Sequence, residues 1–180
     1  MDTATPMESA LLLVVPEAEP IVHEHRAQFD RAARVGVPAH LTVIYPFRPV
    51  DALSADDLGR LRTVFRSAIR FTVELRTTGW FGDDVLFLVP ENSAPIIDLT
   101  RQVEAAFPEY PIYGGQFEDI HPHLTIGHDC GAENLRRIQD VVTPTLPVTH
   151  HATAIQLWSG PALATQRSGW QPVEAFPLGE

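Results

Sequence analysis

The segment PAHLTVIYPF at residues 38–47 has a close counterpart, IHPHLTI, at residues 120–126. Both segments contain His-Leu-Thr followed by a β-branched residue, and both carry a proline one or two positions before the histidine. Short runs of β-branched and apolar residues bounded by proline are typical of strands. The two segments therefore predict two strands with the same local pattern, one in each half of the chain.

Residues two positions apart in a strand project from the same face. His40 therefore shares a face with Thr42, and His123 shares a face with Thr125. The residues between and after them are apolar and are expected to face a core. Each strand thus presents one imidazole and one hydroxyl on an otherwise apolar background.

The remaining pattern predicts alternating strands and helices around these segments. Apolar and β-branched runs indicate strands, and apolar positions three or four residues apart indicate helices. Strands are predicted at residues 10–15, 40–47, 71–81, 85–89, 123–128, 151–158 and 170–176. Helices are predicted at residues 17–34, at 93–107, at 132–142 and after Ser54, which has the side chain of an N-cap.

The predicted order of strands and helices repeats in the two halves of the chain, and so do some short sequence motifs. VVPE at residues 14–17 is matched by LVPE at 88–91, and the two His-Leu-Thr motifs follow at similar places. A duplication explains this most simply. We expect residues 1–180 to form one α+β domain of two pseudo-symmetric lobes, from repeat units at about 8–82 and 84–178. If the lobes face each other, two imidazoles and two hydroxyls converge.

Such a convergence suits the opening of a cyclic phosphodiester. One histidine can take a proton from water while the other protonates the leaving oxygen, since the pKa of free histidine lies near ~6.5. The threonine hydroxyls can donate hydrogen bonds to the phosphate oxygens. His40 and His123 are therefore candidate catalytic residues, and Thr42 and Thr125 are candidate phosphate ligands. This chemistry needs no metal and no cofactor.

These motifs resemble those of the two-histidine (2H) phosphoesterase superfamily, and specifically its 2′-5′ RNA ligase-like family. The resemblance rests on residues 38–47, PIYGG at 111–115, residues 120–126 and GWF at 79–81. It implies a bilobal fold in which two antiparallel sheets line a central cleft, with helices outside. It also implies hydrolysis of a 2′,3′-cyclic nucleotide or RNA end to a 2′-phosphate, with RNA ligation or weak nucleotide or RNA binding as alternatives.

Two points remain open within this resemblance. By analogy His123 activates water and His40 protonates the leaving oxygen, but the symmetric motifs do not decide between them. Some family members also carry a basic residue after the second motif, whereas this chain has GHD at residues 127–129. That departure argues against ligation and against tight binding of polyanions.

The charge composition limits which classes of nucleic acid or nucleotide the protein is expected to bind. The formal net charge is −10, and all 13 basic residues are arginine. Long duplex nucleic acid requires a basic face, so a small nucleotide or an RNA end is the expected partner.

The longest apolar run, residues 11–15, is too short to cross a membrane, and no secretory signal is recognised. Cys130 is the single cysteine, which suits a reducing compartment. We expect a cytoplasmic monomer.

Further candidates lie outside the two motifs. Tyr45, Trp80, Tyr113 and Trp158 are aromatic side chains that could stack against a base. His121 and His123, with His128 nearby, raise the possibility of a metal site, as do the adjacent His150 and His151. Because zinc usually takes three or four ligands in a closed arrangement, we expect no metal.

Overall fold

The computed structural model describes residues 6–116 and 119–180. Its eight strands are β1 (Met7–Val14), β2 (His40–Phe47), β3 (Phe71–Phe81), β4 (Val85–Pro90), β5 (Leu124–His128), β6 (Val148–Ala152), β7 (Ala154–Pro161) and β8 (Gln171–Pro177). Its five α-helices within these ranges are α1 (Glu19–Phe29), α2 (Arg31–Arg34), α3 (Ala55–Ser67), α4 (Ala94–Ala106) and α5 (Ala132–Val142).

The strands form two four-stranded antiparallel sheets, which confirms the predicted α+β class. The strand orders are β2-β1-β7-β8 and β5-β4-β3-β6. The two orders correspond when β1 is matched with β4, β2 with β5, and β7 with β3. Each sheet therefore combines strands from both predicted repeat units, since β3 pairs with β4 and β7 pairs with β1.

Alternation along the strands separates a core face from a cleft face. On β1, Leu11 and Leu13 belong to the main core, whereas Leu12 belongs to a smaller cluster with two tryptophans on the other face. The main core also contains Leu86 and Leu88 of β4 in the second sheet. One continuous apolar cluster therefore joins the two sheets, and the opposite strand faces are left to line the site.

Two helices meet the sheets as their patterns predict. Helix α3 begins at a capping box, in which Ser54 and Asp57 each bond the other's backbone N–H. It buries Leu61 and Phe65 in the main core. On α4, the buried Thr100 hydroxyl donates a 2.9 Å hydrogen bond to the carbonyl of Val43 on β2. These helices attach the outer layer to the sheet that carries the first motif.

The helix predicted at residues 17–34 is interrupted. A 3₁₀ turn at Pro16–Ala18 precedes α1, and Asp30 adopts an extended conformation between α1 and α2. The Asp30 side chain accepts hydrogen bonds from Arg26 and from the backbone N–H of Ala32. A carboxylate that caps α2 and pairs with α1 favours a break at this residue over a continuous helix.

The strand predicted at residues 151–158 is two strands in different sheets. β6 pairs with β3, whereas β7 pairs with β1, and Thr153 lies between them. Only Thr153 separates the two strands, and neither glycine nor proline stands at the junction, so no local pattern marks the change of sheet. A smaller difference concerns β5, which begins at Leu124 and leaves His123 one residue before it.

The helices are all short. No helix in the two described ranges is long and apolar enough to span a bilayer.

Candidate active site

The four residues of the two motifs line one cavity of about 160 Å³, called the small cavity below. His40 and Thr42 reach it from β2, Thr125 from β5, and His123 from the position just before β5. The floor of the small cavity is apolar and includes Leu12 of β1. Two strands from separate halves of the chain thus bring two imidazoles and two hydroxyls to one space.

Each of the two imidazoles is held by a hydrogen bond of the same kind, from Nδ1 to a backbone carbonyl two residues earlier. Nδ1 of His40 lies 2.7 Å from the carbonyl oxygen of Pro38, and Nδ1 of His123 lies 2.6 Å from the carbonyl oxygen of His121. A carbonyl oxygen can only accept, so Nδ1 carries the proton in each ring. In the neutral ring Nε2 is then the unprotonated nitrogen, and it is the one left available to a ligand.

The surroundings of His40 disfavour its protonated form. Burial lowers the pKa of His40 to about 4, and the charge of Arg26 acts in the same direction. Arg26 is itself almost fully buried, and its guanidinium binds Asp30. His40 is therefore neutral at physiological pH in the ligand-free protein.

His123 lies among aromatic rings. The ring of Phe81 is 4.8 Å away and nearly perpendicular, that of Phe87 is 5.1 Å away, and that of Tyr113 is 6.4 Å away and roughly parallel. Burial lowers the pKa of His123. The hydrogen bond with the His121 carbonyl opposes this shift, and the charge of the His121 side chain adds to it. The second histidine is thus also biased towards its neutral form, by apolar surroundings more than by a buried cation.

Tyr113 joins the two motifs. It lies in the Ile112–Gly115 turn, where its φ of 51° and the φ of 63° at Gly114 are both in the left-handed region. Its side chain interacts with Thr42 and stacks on His123, and burial raises its pKa to about 12. A non-glycine residue held at positive φ beside candidate catalytic groups is a strained arrangement that packing must support.

A second space, the large cavity, adjoins the first. It has a volume of about 600 Å³ and shares Tyr113, His123 and Thr125 with the small cavity. Its other lining residues are Phe81, Val85, Asp119, His121 and His128. Phe81, at the end of β3, remains 39% exposed there.

Of the four aromatic side chains suggested by the sequence, two line the small or the large cavity and two do not. Tyr45 lines the small cavity, with its hydroxyl donating to Glu8, and Tyr113 lines both cavities. Trp80 instead lines a separate cavity and donates its indole N–H to Gln139. Trp158 is buried in the smaller apolar cluster.

Trp170 also lines the small cavity, although no motif in the sequence singles it out. Its ring lies edge-on to Tyr45 at 6.3 Å. It follows Gly169 just before β8, and its position could be found only once β7 and β8 were known to share a sheet with β1 and β2. The two tryptophans that the sequence suggested, Trp80 and Trp158, do not line the small cavity. A position on a strand does not by itself indicate which face of the sheet reaches the cleft.

A buried ionic network connects α1 to β5 behind the site. Arg26 donates to Asp30 through Nε at 2.9 Å and Nη2 at 2.7 Å, and Nη2 also reaches the carbonyl of Val37 at 3.4 Å. On the other side, Nε2 of His128 lies 3.6 Å from Asp30 and accepts the backbone N–H of Arg31. The segment before His40 and the strand that carries Thr125 are therefore linked through one carboxylate.

The histidines considered for a metal do not form a cluster. His121 and His128 line the large cavity, whereas His150 pairs with Glu17 and His151 with Thr72. Within residues 6–116 and 119–180, no group of three or more His, Cys, Asp or Glu side chains is arranged to hold a metal ion.

Three solved structures are similar to the chain over nearly its whole length. LigT of E. coli in complex with 3′-AMP is 18% identical with a TM-score of 0.60, and the match covers 97% of this chain and 99% of LigT. TT0787 of Thermus thermophilus is 19% identical with a TM-score of 0.63, covering 96% and 99%. A protein described as a phosphoesterase is 20% identical with a TM-score of 0.59, covering 97% and 100%. Further LigT structures hold phosphate, ATP or NADP+. At these identities the likeness shows a common fold.

Sequence comparison gives the family. A search of curated proteins finds no match. The model of the 2′-5′ RNA ligase superfamily, however, matches residues 14–161, a span that includes both His-Leu-Thr motifs, the whole second sheet, and strands β2 and β7 of the first. With the two-sheet fold and the paired motifs, this match shows that the chain belongs to the 2′-5′ RNA ligase superfamily, among the two-histidine phosphoesterases.

Proposed function

We propose that the protein is a metal-independent cyclic phosphodiesterase that opens a 2′,3′-cyclic nucleotide to the 2′-phosphate. The observation that carries this proposal is the matched pair of imidazoles at one cavity, each with Nδ1 bonded to a carbonyl and Nε2 available. Membership of the 2′-5′ RNA ligase superfamily supports it. So does the binding of 3′-AMP and phosphate by LigT. We place the activity in the cytoplasm, in a monomer.

The reaction needs one proton taken and one proton given. Nε2 of one neutral histidine removes a proton from water as the water oxygen attacks phosphorus. The bond between phosphorus and the ribose 3′-oxygen breaks, and the protonated Nε2 of the other histidine gives its proton to that oxygen. The hydroxyls of Thr42 and Thr125 donate hydrogen bonds to the non-bridging oxygens, where negative charge resides. The product is the 2′-phosphate.

We assign the base to His40 and the acid to His123. The pKa of His40 is lowered to about 4 by burial and by Arg26, so His40 is neutral and able to accept a proton over most of the useful pH range. His123 has no buried cation among the causes of its shift. This assignment is the reverse of the one implied by the family resemblance, in which His123 activates water and His40 protonates the leaving oxygen.

The test is hydrolysis of adenosine 2′,3′-cyclic phosphate in EDTA by the wild type and by His40→Ala and His123→Ala. Each variant should lose about 100-fold or more in kcat, with an unchanged melting temperature. His151→Ala is the matched control, since His151 is exposed and bonded to Thr72. Absence of turnover by the wild type would refute the proposal. Requirement for a metal would refute the mechanism.

The roles of the two histidines are tested with a p-nitrophenyl phosphodiester, whose leaving group needs no proton. His123→Ala should recover much of its activity on this substrate, because only the acid has become unnecessary. His40→Ala should remain inactive on both substrates. The reverse pattern would exchange the two roles.

Ligation of RNA ends is the second candidate for this family. It requires two nucleic acid strands at the site, yet none of the described residues that line either cavity is arginine, and the sequence has no lysine. Hydrolysis of a small substrate is therefore the function that these charges favour.

A further inference from the structure

A single peptide group connects His40 to a carboxylate that lines neither cavity. The carbonyl oxygen of Pro38 accepts the hydrogen on Nδ1 of His40. The other half of that peptide group, the N–H of Ala39, donates a hydrogen bond to Oε1 of Glu19. A trans peptide group is planar, and its C=O and N–H point in opposite directions. A carboxylate bound at the N–H therefore fixes the plane in which the carbonyl meets the imidazole.

This connection is shielded from water. Ala39 is fully buried, and the Glu19 side chain, at the first residue of α1, is only 29% exposed. Hydrogen bonds in such surroundings are strengthened, and successive bonds polarise one another. A negative charge at the N–H makes the carbonyl of the same peptide a better acceptor, so it holds the Nδ1 hydrogen of His40 more firmly. It also favours the imidazolium that forms when Nε2 takes a proton.

The second motif cannot make the same connection. Nδ1 of His123 bonds the carbonyl of His121, and the next residue is Pro122, which has no N–H. The sequence Pro-Ala-His before the first Leu-Thr thus leaves a donor that His-Pro-His before the second one lacks. Only His40 can be linked to a carboxylate through the peptide that orients its ring. This asymmetry agrees with His40 as the base.

The remaining contacts of the Glu19 carboxylate are weaker. Its other oxygen lies 3.2 Å from Nδ1 of His23, which is exposed. Arg26 is 3.8 Å from Oε1 and bonds Asp30 more closely, at 2.7 Å. Removal of the carboxylate therefore acts on the site mainly through the lost bond to Ala39.

We propose that Glu19 is a positioning residue for the base, because it holds the peptide between Pro38 and Ala39 so that His40 keeps its hydrogen on Nδ1 and presents Nε2 to water. This inference rests on the proposed function and adds to it a group that touches no substrate. The proton taken from water moves to Nε2, and the Nδ1 hydrogen stays in place. No proton passes to Glu19, whose charge only stabilises the imidazolium.

The kinetic test uses Glu19→Ala, Glu19→Gln and the control Glu24→Ala, which removes an exposed carboxylate from the same helix. Glu19→Ala should lower kcat for adenosine 2′,3′-cyclic phosphate on the order of tenfold to a hundredfold. KM should change little, because Glu19 lines neither cavity. Glu19→Gln should recover most of the loss, since its side-chain carbonyl can accept the same N–H. The deficit of Glu19→Ala should persist on the p-nitrophenyl phosphodiester, which still requires a base.

The ring nitrogens give a second readout that does not depend on turnover. In ¹⁵N NMR spectra at about pH 7, the neutral rings of His40 and His123 in the wild type should both carry their hydrogen on Nδ1. In Glu19→Ala the signals of His40 should move towards a mixture of the two tautomers, because the carbonyl that fixes the hydrogen is less firmly held. The signals of His123 should not change.

The outcomes separate this inference from the proposed function. A Glu19→Ala variant with wild-type kcat, or one whose deficit disappears on the p-nitrophenyl substrate, overturns the inference. An unchanged tautomer at His40 also overturns it. So does a lowered melting temperature that accounts for the lost activity and is shared by Glu19→Gln. Absence of hydrolysis by the wild type refutes the proposed function, while the NMR comparison still decides whether Glu19 holds the ring.

Discussion

His40 and His123 make the same hydrogen bond but lie in different surroundings. A buried guanidinium, that of Arg26, contributes to the low pKa of His40, whereas aromatic rings surround His123. Two chemically equivalent side chains are therefore made unequal by their neighbours. An acid–base pair requires such inequality, because one member must be neutral while the other is protonated.

The pH dependence of kcat/KM should reflect both shifts. Activity should fall on the acidic side as His40, whose pKa is about 4, becomes protonated and can no longer act as a base. It should fall on the alkaline side as His123, whose pKa lies below the ordinary 6.5, loses its proton. We therefore expect a bell-shaped profile with its maximum between about pH 4 and 6.5, measured on a 2′,3′-cyclic nucleotide.

Two results bear on this prediction. In Arg26→Met the acidic limb should move to higher pH, because the cation that disfavours protonation of His40 is gone. An optimum above pH 7 in the wild type would contradict the shifts of both histidines.

At the level of single residues, the sequence predicted the motif positions better than the aromatic ones. His-Leu-Thr on a strand determines which side chains share a face, and all four line the small cavity. The aromatic side chains depend on which face of a sheet meets the cleft. Trp80 lines another cavity, whereas Trp170 lines the small cavity although no sequence motif marks it.

At the scale of elements, α1 is held against β5 by packing and by charge. Gly127 permits the approach, because a Cβ at that position would meet Cβ of Phe29 at 3.0 Å. Asp30, at the end of α1, then bonds Arg26 and faces His128. The two motifs are thus held in relative position by a helix that carries neither of them.

Removal of the Asp30 carboxylate should destabilise the fold. Asp30→Ala leaves the buried Arg26 with only the longer contacts to Glu19 at 3.8 Å and to the Val37 carbonyl at 3.4 Å, and it removes the cap of α2. We therefore expect a loss of about 3–5 kcal/mol in the free energy of unfolding. Urea denaturation measures this loss. Asp51→Ala, at an exposed site, should change stability little.

The same residue should contribute to acid unfolding. Burial raises the pKa of Asp30, but the interaction with His128 and the charge of Arg26 outweigh it and lower the pKa to about 2. Its contribution to stability is therefore complete above the ordinary pKa of 3.8 and is lost as pH falls towards 2. A stability curve for Asp30→Ala parallel to that of the wild type between pH 5 and 2 would contradict this role.

Most elements followed from local pattern, and the exceptions have a tertiary cause. Strands β2 and β3 and helix α5 have the predicted bounds, because apolar periodicity and turn residues mark them. The break at Asp30 depends on Arg26, and the separation of β6 from β7 at Thr153 depends on which strands are free to pair. The strand partners are distant in sequence, so no local signal indicates them.

At the scale of the whole molecule, one apolar core serves both sheets. Leu11 and Leu88 lie on different sheets and belong to the same buried cluster. We expect Leu11→Ala and Leu88→Ala each to cost about 2–5 kcal/mol and to lower the temperature of one common transition. Calorimetric and van't Hoff enthalpies should agree. Two separate transitions, each sensitive to one variant, would mean that the lobes unfold independently.

The exchange of β3 and β7 between sheets also restricts how such a chain could have arisen. Each of these strands is built by one half of the polypeptide and completes the sheet of the other half. If the halves descend from a single half-length gene, two copies of that ancestor would have had to exchange the strand equivalent to β3 and β7 to complete the same sheets. Two identical copies would place identical imidazoles in identical surroundings, so only a fused chain could give His40 a buried cation and His123 a shell of aromatic rings.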